Sequence, residues 1–528
     1  MNEITAAEQV GFPILSTLVF LPTVTIVALA FIRNDRALRR VALAGALAVL
    51  GLSLVLAAGF HRGATDFQFA EQIPWVEAVG VSYHLAVDGV SVLFVPLTAL
   101  LVVVVMLSSW TSVRHQPKAY LMAVLAFETA AIGVFTSVDL ILFFVFWELM
   151  LIPTYVLIKV WGNGPERGRA ALRYVLSMLL GSAALLVGFV LLGVSHRSAP
   201  GSGGALSFDL LVLMGSTLPP GTQTAVFFLL AFAFALKAPL FPFHAWMPAT
   251  LLEGPIGMAV FLAGLKMGVF GFLRFVLPLV PDAFAAWSWL VAVLGVVAVL
   301  YGALIALVQS NLLRLVAFAS ISHVGLAMLG LSSLNAPGLQ GALFLIVNLG
   351  LVSTGMLLAA GFIHQRVGST DIAALGGLAQ RAPALATFTL VAALGAVGLP
   401  GTSGFPGEFL ILLGAFRAHG WLATIAVTTV ILAAAYVLVF LRALVPRTYP
   451  EHDRGGRQGP AAARGSRRRH TRRHDRRPRL LPGHRPGLFE RVGRRPRRPA
   501  RPLDNHRDPG LGGVRAWTSP ALSRCSRC

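Results

Sequence analysis

The sequence predicts an all-α polytopic membrane protein with about 13 transmembrane helices, and three observations support this fold class. Hydrophobic residues occupy 56% of the 528 positions, and charged residues occupy only 12%. Average soluble domains carry roughly 25% charged residues. Residues 1–450 contain thirteen apolar runs of about the length that a bilayer-spanning helix needs. These runs lack the period-2 alternation of membrane strands. A soluble enzyme, a secreted disulfide scaffold and a disordered protein are therefore excluded.

The apolar runs follow one another with no soluble domain between them. They are predicted near residues 10–32, 41–60, 87–109, 119–137, 139–160, 171–194, 224–240, 251–277, 284–308, 311–333, 339–363, 384–416 and 422–445. The twelfth run is too long for a simple span and contains Gly and Pro, so it predicts a broken helix. Met1–Val10 holds Glu3 and Glu8 but no basic segment, which predicts a retained first helix rather than a signal peptide.

Lysine and arginine in the predicted loops indicate the orientation of the chain. Loops after odd-numbered spans carry fourteen of these cations, whereas loops after even-numbered spans carry four, namely Arg62, Arg197, Arg274 and Arg417. Short cytoplasmic loops are enriched in Lys and Arg. The bias therefore predicts that the N-terminus lies outside and that loops after odd-numbered spans lie in the cytoplasm.

The formal charge of +21 resembles that of a nucleic-acid-binding protein, but its distribution argues against that class. Residues 451–528 hold 22 of the 43 basic residues, all Arg, and 6 of the 22 acidic ones, so this tail carries +16 and residues 1–450 carry +5. A tail rich in Arg, Gly and Pro is the composition of a GC-rich gene read out of frame. The tail is interpreted as disordered or as a frameshift product, and a basic arm for anionic lipid or RNA is the alternative. Cys525 and Cys528 form a C-x-x-C without a second pair, which predicts no zinc or redox site.

Five charged residues and one histidine lie inside predicted spans, where a charge costs about 3 kcal/mol or more. They are Glu128, Glu148, Lys237, Lys266, His323 and Glu408. A single such residue is as well explained by a structural ion pair or by a side chain that reaches the interface. Several of them on different spans predict a path for protons.

The segment around Lys237 predicts a helix break beside a charge. Pro239 and Pro242 remove two backbone donors, and carbonyl groups freed at membrane depth are tolerated only beside protein or water. Lys237 is therefore expected to border a wet cavity, where a buried lysine can release a proton near neutral pH. His244 lies at the break and serves either as a relay group or as a histidine bonded to a carbonyl group.

Two further spans carry charges in distinctive surroundings. Glu148 follows Trp147 in a run of aromatic residues, and such a desolvated carboxyl group can change protonation when a nearby lysine moves. Lys266 lies between Gly264 and Gly268, which permit a close helix neighbour. Both positions fit a proton relay.

A second helix break precedes Glu408, in the Gly- and Pro-rich segment 398–407, and His323 lies between serines on an otherwise apolar span. The two broken spans, the seventh and the twelfth, are five spans apart. Broken helices at corresponding places predict two inverted five-helix repeats, spans 4–8 and 9–13. The predicted regions are 1–110 for the first three spans, 111–280 and 281–447 for the two repeats, and 448–528 for the tail.

Three segments resemble the antiporter-like membrane subunits of respiratory complex I, the NADH–quinone oxidoreductase. They are LILFFVFWELMLIP at 140–153, KAPLFPFHAWMP at 237–248 and GLPGTSGF at 398–405. The resemblance covers roughly residues 1–450. Members of the L- and N-types carry Lys in the broken twelfth helix, so Glu408 favours the M-type branch.

The resemblance implies roles for the intramembrane residues. Glu148 and Lys237 would be the interacting pair of the first half-channel, Lys266 would link it to the centre, His323 would continue the axis and Glu408 would serve the second half-channel. Glu128, at a position often acidic in the family, is given a weaker role.

Two departures from the family pattern bear on that path. Asn348 stands where many M-type subunits carry His, and Asn orients water but does not titrate near neutral pH. Relay at that step would use water, or the axis would be broken there. The family also has a fourteenth helix, and the sequence predicts none after Tyr436–Arg447.

The resemblance also implies partners. No cofactor is expected in this chain, since residues 1–450 hold no cysteine and no nucleotide-binding glycine loop. NADH, FMN, iron–sulfur clusters and quinone would belong to partner subunits, and the neighbours would be L-, N- and K-type subunits in a bacterial cell membrane, with no nucleic acid. A subunit of an Mrp-type cation/proton antiporter or of a hydrogenase membrane arm is the alternative. An ordinary solute carrier or a structural spacer fits less well, because a substrate site would be one cluster rather than a series of charges.

Overall fold

The computed structural model describes residues 3–63, 66–199 and 203–442. The chain divides into two units, Met1–Pro450 and Glu451–Cys528, and the fold given below belongs to the first. The second unit, with the basic tail and Cys525 and Cys528, lies outside the described residues. So does the place where a fourteenth helix would follow.

Apolar helices make up most of the first unit. They are α1 (Ala6–Val10), α2 (Ile14–Phe31), α3 (Asp35–Gly59), α4 (Phe94–Ser108), α5 (Pro117–Thr136), α6 (Leu140–Leu149), α7 (Leu151–Trp161), α8 (Arg167–Arg197), α9 (Leu210–Met214), α10 (Pro220–Lys237), α11 (Trp246–Glu253), α12 (Ile256–Gly264), α13 (Met267–Gly271), α14 (Leu277–Leu279), α15 (Pro281–Leu307), α16 (Leu312–Ser332), α17 (Ala336–Val367), α18 (Leu378–Arg381), α19 (Pro383–Val397), α20 (Phe405–Ala418), α21 (Gly420–Ala426) and α22 (Thr428–Leu441). A π-helical turn, Phe272–Val276, joins α13 to α14, and short 3-10 turns lie at Glu77–Val79 and Ile372–Ala374.

Eleven helical segments within the described chain are long and apolar enough to cross a bilayer. They correspond to eleven of the predicted spans, so the prediction of an all-α multi-pass membrane protein is confirmed. The third and twelfth predicted spans correspond to shorter helices, because α4 and α19 have 15 residues each. The exact count of thirteen is therefore not confirmed.

The helix of the third predicted span, α4, begins seven residues later than predicted, because strands precede it. Strands β1 (Glu3–Thr5), β2 (Phe67–Val76) and β3 (Val81–Val87) form a sheet in the order β1-β2-β3, with β1 parallel to β2 and β2 antiparallel to β3. After β3, Asp88 accepts hydrogen bonds from the backbone N–H groups of Val90 and Ser91, which turns the chain before α4. This hairpin was not predicted, because it lies in a loop between two apolar spans.

Both predicted helix breaks are present. The segment 238–245 separates α10 from α11, and the segment 398–404 separates α19 from α20. The eighth predicted span, 251–277, needs correction at its start, since α11 extends to Glu253 and α12 begins only at Ile256. A third break, at Leu265 and Lys266, divides α12 from α13 and was not predicted.

Close helix packing forms the core. The backbones of α15 and α16 touch where Gly295 faces Gly325, so that a Cβ added to Gly295 would lie 2.8 Å from the Gly325 carbonyl oxygen. Such contacts between small residues stabilise helix pairs in membranes, where water does not drive association. The helix α8 packs along α10, and α17 packs along both α19 and α20, the two parts of the second broken span. The repeats and the region boundaries remain predictions.

The loops at the two ends of the bundle differ in charge. We call the end that carries β2 and β3 the hairpin face, and the end that carries the α2–α3 and α4–α5 loops the arginine face. On the arginine face, Arg39 donates to the carbonyl groups of Trp110 and Val113, and Lys118 donates to that of Ile32. These cations satisfy carbonyl groups near helix C-terminal ends, where positive charge is favourable.

Arg274 does not belong among the loop cations. It is buried in the π-helical turn, where its guanidinium donates to Asp88 with an Nη1–Oδ2 distance of 2.9 Å. Three cations rather than four therefore remain in loops after even-numbered spans, and the bias persists.

Candidate functional site

Lys237 is the last residue of α10, where the first break begins. Its ammonium group donates to the hydroxyl of Tyr174, 3.3 Å away on α8, and lies 5.0 Å from the ring centroid of Trp147. Aromatic faces attract a cation without neutralising it. The lysine is therefore held by groups that leave its charge free to respond to a carboxylate.

Glu148, near the end of α6, supplies that carboxylate. It is half-buried, its Oε1 has no hydrogen-bond partner among the described residues, and it directly follows Trp147, the residue whose ring lies beside the Lys237 ammonium group. The two side chains form no direct ion pair in the described part of the chain. The structure thus places this predicted pair close together but separated.

The first break also orders its own backbone. Trp246 Nε1 donates to the Leu236 carbonyl at 2.9 Å, so one acceptor that the broken helix leaves open is satisfied by an indole. His244 Nε2 lies 3.2 Å from the hydroxyl of Tyr301 on α15, while its buried Nδ1 has no partner among the residues that the structure describes. His244 thus links the break to the second group of helices rather than to Lys237.

Lys266 lies in the unpredicted break between α12 and α13. It is 2% exposed, and its ammonium group donates to the hydroxyl of Ser320 on α16. Gly268, two residues later, packs against the backbone at Ala238, the residue that follows Lys237. The backbones that carry the two lysines therefore touch, although the ammonium groups do not.

His323 continues from Ser320 along one turn of α16. Its Nδ1 lies 2.8 Å from the Ala319 carbonyl oxygen, and its Nε2 lies 3.2 Å from that of Ala396, at the end of α19. Carbonyl oxygens only accept, so both contacts are hydrogen bonds only when both ring nitrogens carry protons.

Glu408 completes this second cluster. Its Oε1 lies 3.6 Å from His323 Nε2, it is 6% exposed, and Tyr436 of α22 lies on the same histidine, with the ring centroids 6.5 Å apart. Gly398, with φ +69°, lets the chain pass against the carboxyl group, because a Cβ there would overlap it. The second break thus holds a carboxylate in contact with an imidazole.

Two secondary residues lie apart from these contacts. Glu128 on α5 is fully buried, and neither carboxylate oxygen has a hydrogen-bond partner among the described residues. Asn348 lies on the face of α17 between Leu345, which packs on Gly407, and Val352, which packs on Gly395. Its Oδ1 is also unpartnered among these residues, so it faces the second break as an open acceptor.

Comparison with known proteins identifies the family. The family model for the transmembrane region of NADH:quinone oxidoreductase and the Mrp antiporter matches residues 137–433. The chain is 38% identical over 444 residues to the NADH-quinone oxidoreductase subunit M of Rhodobacter capsulatus, with 82% of this chain and 86% of that protein covered. The chain belongs to this family. It is also 35% identical to the NADH-ubiquinone oxidoreductase chain 4 of Arabidopsis thaliana, over 80% of this chain and 85% of that one.

Solved structures agree with this family assignment. A chain of respiratory complex I from Thermus thermophilus with bound NADH superposes with a TM-score of 0.74 at 35% identity, over 82% of this chain and 88% of that one. The Mrp complex from Dietzia sp. DQ12-45-1b matches with a TM-score of 0.70 at 22% identity, over 82% of this chain and 48% of that chain, which shows a shared fold. The resemblance read from the motifs is confirmed.

Sequence reasoning missed three tyrosines of this site, and it treated Trp147 and the serines around His323 only as the surroundings of Glu148 and His323. The tyrosines are Tyr174, Tyr301 and Tyr436. The three tyrosines offered a signal, because each places a hydroxyl inside an apolar span. Within the described residues, no group of three or more His, Cys, Asp or Glu side chains could hold a metal ion.

Proposed function

We propose that this chain translocates protons as a membrane subunit of an NADH–quinone oxidoreductase, through a relay of Glu148, Lys237, Lys266, His323 and Glu408. The observation that carries the relay is that Lys237, at the first helix break, lies beside Trp147 and Tyr174, next to Glu148 on α6, without an ion pair to that carboxylate among the described residues. If the carboxylate and the ammonium group were already in contact, they would form a static salt bridge. Because they are near each other but separated, a small movement of α6 can bring the two groups together or move them apart.

The closing and opening of that pair would control the proton on Lys237. An approaching carboxylate favours the charged ammonium, and its withdrawal into apolar surroundings favours the neutral amine. Redox energy from partner subunits would reach this chain as such a movement. Trp147 and Tyr174 support this role because they hold the amine in place in both states.

A proton released from Lys237 would pass to Lys266 and then along α16. The adjoining backbones at Gly268 and Ala238 bring the two lysines to neighbouring positions, and water would bridge the gap between them. From Lys266 the path would run through Ser320 to His323 and then to Glu408. Asn348 would orient water beside the second break, and His244 and Glu128 would hold secondary positions.

The direction of transfer rests on the loop charges. We place the arginine face in the cytoplasm and the hairpin face, with the N-terminus, outside, in the cell membrane of a bacterium. The neighbours would be L-, N- and K-type subunits, and the redox cofactors would belong to partner subunits.

Substitution of the lysine in the assembled complex tests the relay. Lys237→Met keeps the volume of the side chain but removes the titrating group, so proton pumping into inverted vesicles should fall several-fold relative to quinone reduction. Glu148→Gln should act in the same direction. Lys159→Met is the matched control, because Lys159 is exposed, and its ammonium group donates to the Tyr155 hydroxyl and lies 5.1 Å from the centroid of that ring. Wild-type pumping and wild-type quinone reduction in Lys237→Met would contradict the proposal.

A subunit of an Mrp-type cation/proton antiporter is the second candidate, because the matching family model covers both classes. A hydrogenase membrane arm would share the same fold. Co-purification with a flavin-bearing arm that oxidises NADH supports the first proposal, whereas sodium-dependent proton exchange without such an arm supports the second.

A further inference from the structure

A cavity of about 530 Å³ with both polar and apolar lining residues lies on the arginine face, outside the relay. Its walls come from the ends of four helices, the C-terminal ends of α4, α7 and α17 and the N-terminal end of α12, together with the α4–α5 and α7–α8 loops. Cavities of about 300–1,000 Å³ hold small ligands. Helix ends lie at the depth of lipid headgroups, so the cavity is located where phosphate groups of a bilayer would be found.

The cavity is positively charged. Arg114 and Arg167 line it, and its lining includes no Asp or Glu. His115 and His364 add two imidazoles to the lining, and imidazole nitrogens can hydrogen-bond to a ligand. A cavity lined by cations without counter-charges attracts anions.

Several donors in this wall have no internal partner. Within the described residues, the side chains of Arg114, His115 and Gln365 form no hydrogen bond, and His364 Nδ1 is buried without one. Arg167 donates one Nη1 bond to the Gly162 carbonyl, and its other donors have no partner in the part of the chain that the structure describes. Arg114, His115, Arg167 and Gln365 are exposed, so their donors bond to water, and an anion that enters the cavity can take the place of that water. His364 Nδ1 is the buried atom of this set, and together these groups favour a ligand that accepts hydrogen bonds.

We propose that this cavity binds a phosphate ester, either the headgroup of an anionic phospholipid or a soluble phosphate. Guanidinium groups bind phosphate oxygens through paired hydrogen bonds, and the two arginines come from separate loops. One phosphate held by both would tie the α4–α5 loop to the start of α8. His364 would connect the same ligand to the end of α17, on the other side of the cavity.

Thermal unfolding of the purified, delipidated complex tests this site with three probes. Phosphatidylglycerol vesicles supply an anionic headgroup, phosphatidylcholine vesicles supply a phosphate with a cationic neighbour, and inorganic phosphate supplies the soluble source. In the wild type, phosphatidylglycerol should raise the melting temperature more than phosphatidylcholine. If inorganic phosphate alone reproduces the shift, the soluble source is the ligand, and the site itself is still supported.

Charge-removing variants locate the effect. Arg114→Gln and Arg167→Gln should each raise the probe concentration needed for half-saturation about tenfold, because each variant loses a charge-assisted pair of hydrogen bonds. Arg314→Gln and Arg381→Gln remove the same charge from the arginine face but outside the cavity, and they should leave the half-saturating probe concentration unchanged. If a glutamine variant does not assemble, Arg114→Lys retains the charge and should still lower affinity, because lysine lacks the paired donors.

Two results would overturn the proposal. In one, the probes shift the wild type and the Arg114 and Arg167 variants equally, which would mean general charge screening. In the other, a cysteine placed at Arg114 cross-links to an acidic loop of a neighbouring subunit in the intact complex, which would mean that a protein segment occupies the cavity.

Discussion

His84 on β3 is held between two carboxylates, and its removal should loosen the hairpin in a pH-dependent way. The ring is 1% exposed, with Nε2 2.8 Å from Glu3 Oε1 and Nδ1 2.5 Å from Asp209 Oδ2. Burial by itself would lower the pKa of His84, but the hydrogen bond to Asp209 and the close charge of Glu3 outweigh it and raise the pKa to about 9. Asp209 also caps α9, so the protonated ring joins β1, β3 and α9.

The size and sign of the effect follow from the pKa. A rise from 6.5 to about 9 corresponds to about 3 kcal/mol, and about 2 kcal/mol remains after allowance for water around the partly exposed Glu3. Because the folded pKa lies above the unfolded value, this stabilisation is fully present below pH 6.5. It is lost as the pH rises from 6.5 to 9.

Hydrogen–deuterium exchange of the hairpin amides in the purified complex measures this contribution. After correction for intrinsic rates, His84→Gln should exchange about 30-fold faster than the wild type at pH 6, which corresponds to about 2 kcal/mol. The difference should shrink towards pH 9.5. The exposed His61 provides the control variant, His61→Gln, which should follow the wild type. Equal protection of the wild type and His84→Gln at pH 6 would refute this reasoning.

Two further substitutions test packing at other sites. Arg274→Gln leaves the Asp88 carboxylate without its cation, so thermal unfolding should show a loss of about 3 kcal/mol, and Asp88→Asn in the same chain should restore part of it. Gly398→Ala places a side chain at φ +69° against the Glu408 carboxyl group, and Gly377→Ala is its control because φ is +71° there with open space around it. Both should lose about 1 kcal/mol through backbone strain, but only Gly398→Ala should also reduce proton pumping.

The two breaks beside Lys237 and Glu408 were predictable because their causes are local. Pro239 and Pro242 end α10 through their missing N–H groups, and Gly398 permits a left-handed backbone conformation at the second break. The ionisable residues stood out for the same reason, since a charge in an apolar span needs no neighbour to be recognised.

The break at Lys266 could not be predicted from the sequence. No proline lies in α12 or α13, and the apolar run continues through Leu265. The interruption coincides with tight packing of Gly268 on Ala238, a contact between segments about 30 residues apart. Tertiary contacts of this kind override local helix preference, and they also bring Ser320 to the lysine.

The partners of the relay groups were missed for a related reason. In the sequence, Tyr174 is a single hydroxyl group within a long apolar run. Its hydroxyl reaches Lys237 because α8 packs against α10 in the folded chain. Arg274 was assigned to a loop, and its buried ion pair was not predicted, because its partner Asp88 is 186 positions away in the chain. Pairings across such distances appear only in the folded structure.

The two breaks differ in the side chain that donates to a carbonyl group left without its helical partner. At the first break Trp246 supplies an indole N–H that never titrates, whereas at the second His323 supplies the donor to Ala396. The same Nε2 lies 3.6 Å from Glu408. When the proton on Nε2 moves to that carboxylate, the Ala396 carbonyl group loses its hydrogen-bond donor.

His323→Gln separates the structural role from the relay role at this position. A glutamine amide donates without titrating, so the variant should keep most of the thermal stability of the complex while proton pumping falls several-fold. His323→Ala should lose both, because it leaves the Ala396 carbonyl group unpaired at a cost of about 1–3 kcal/mol. If His323→Gln pumps like the wild type, the imidazole at the second break holds the backbone and carries no proton.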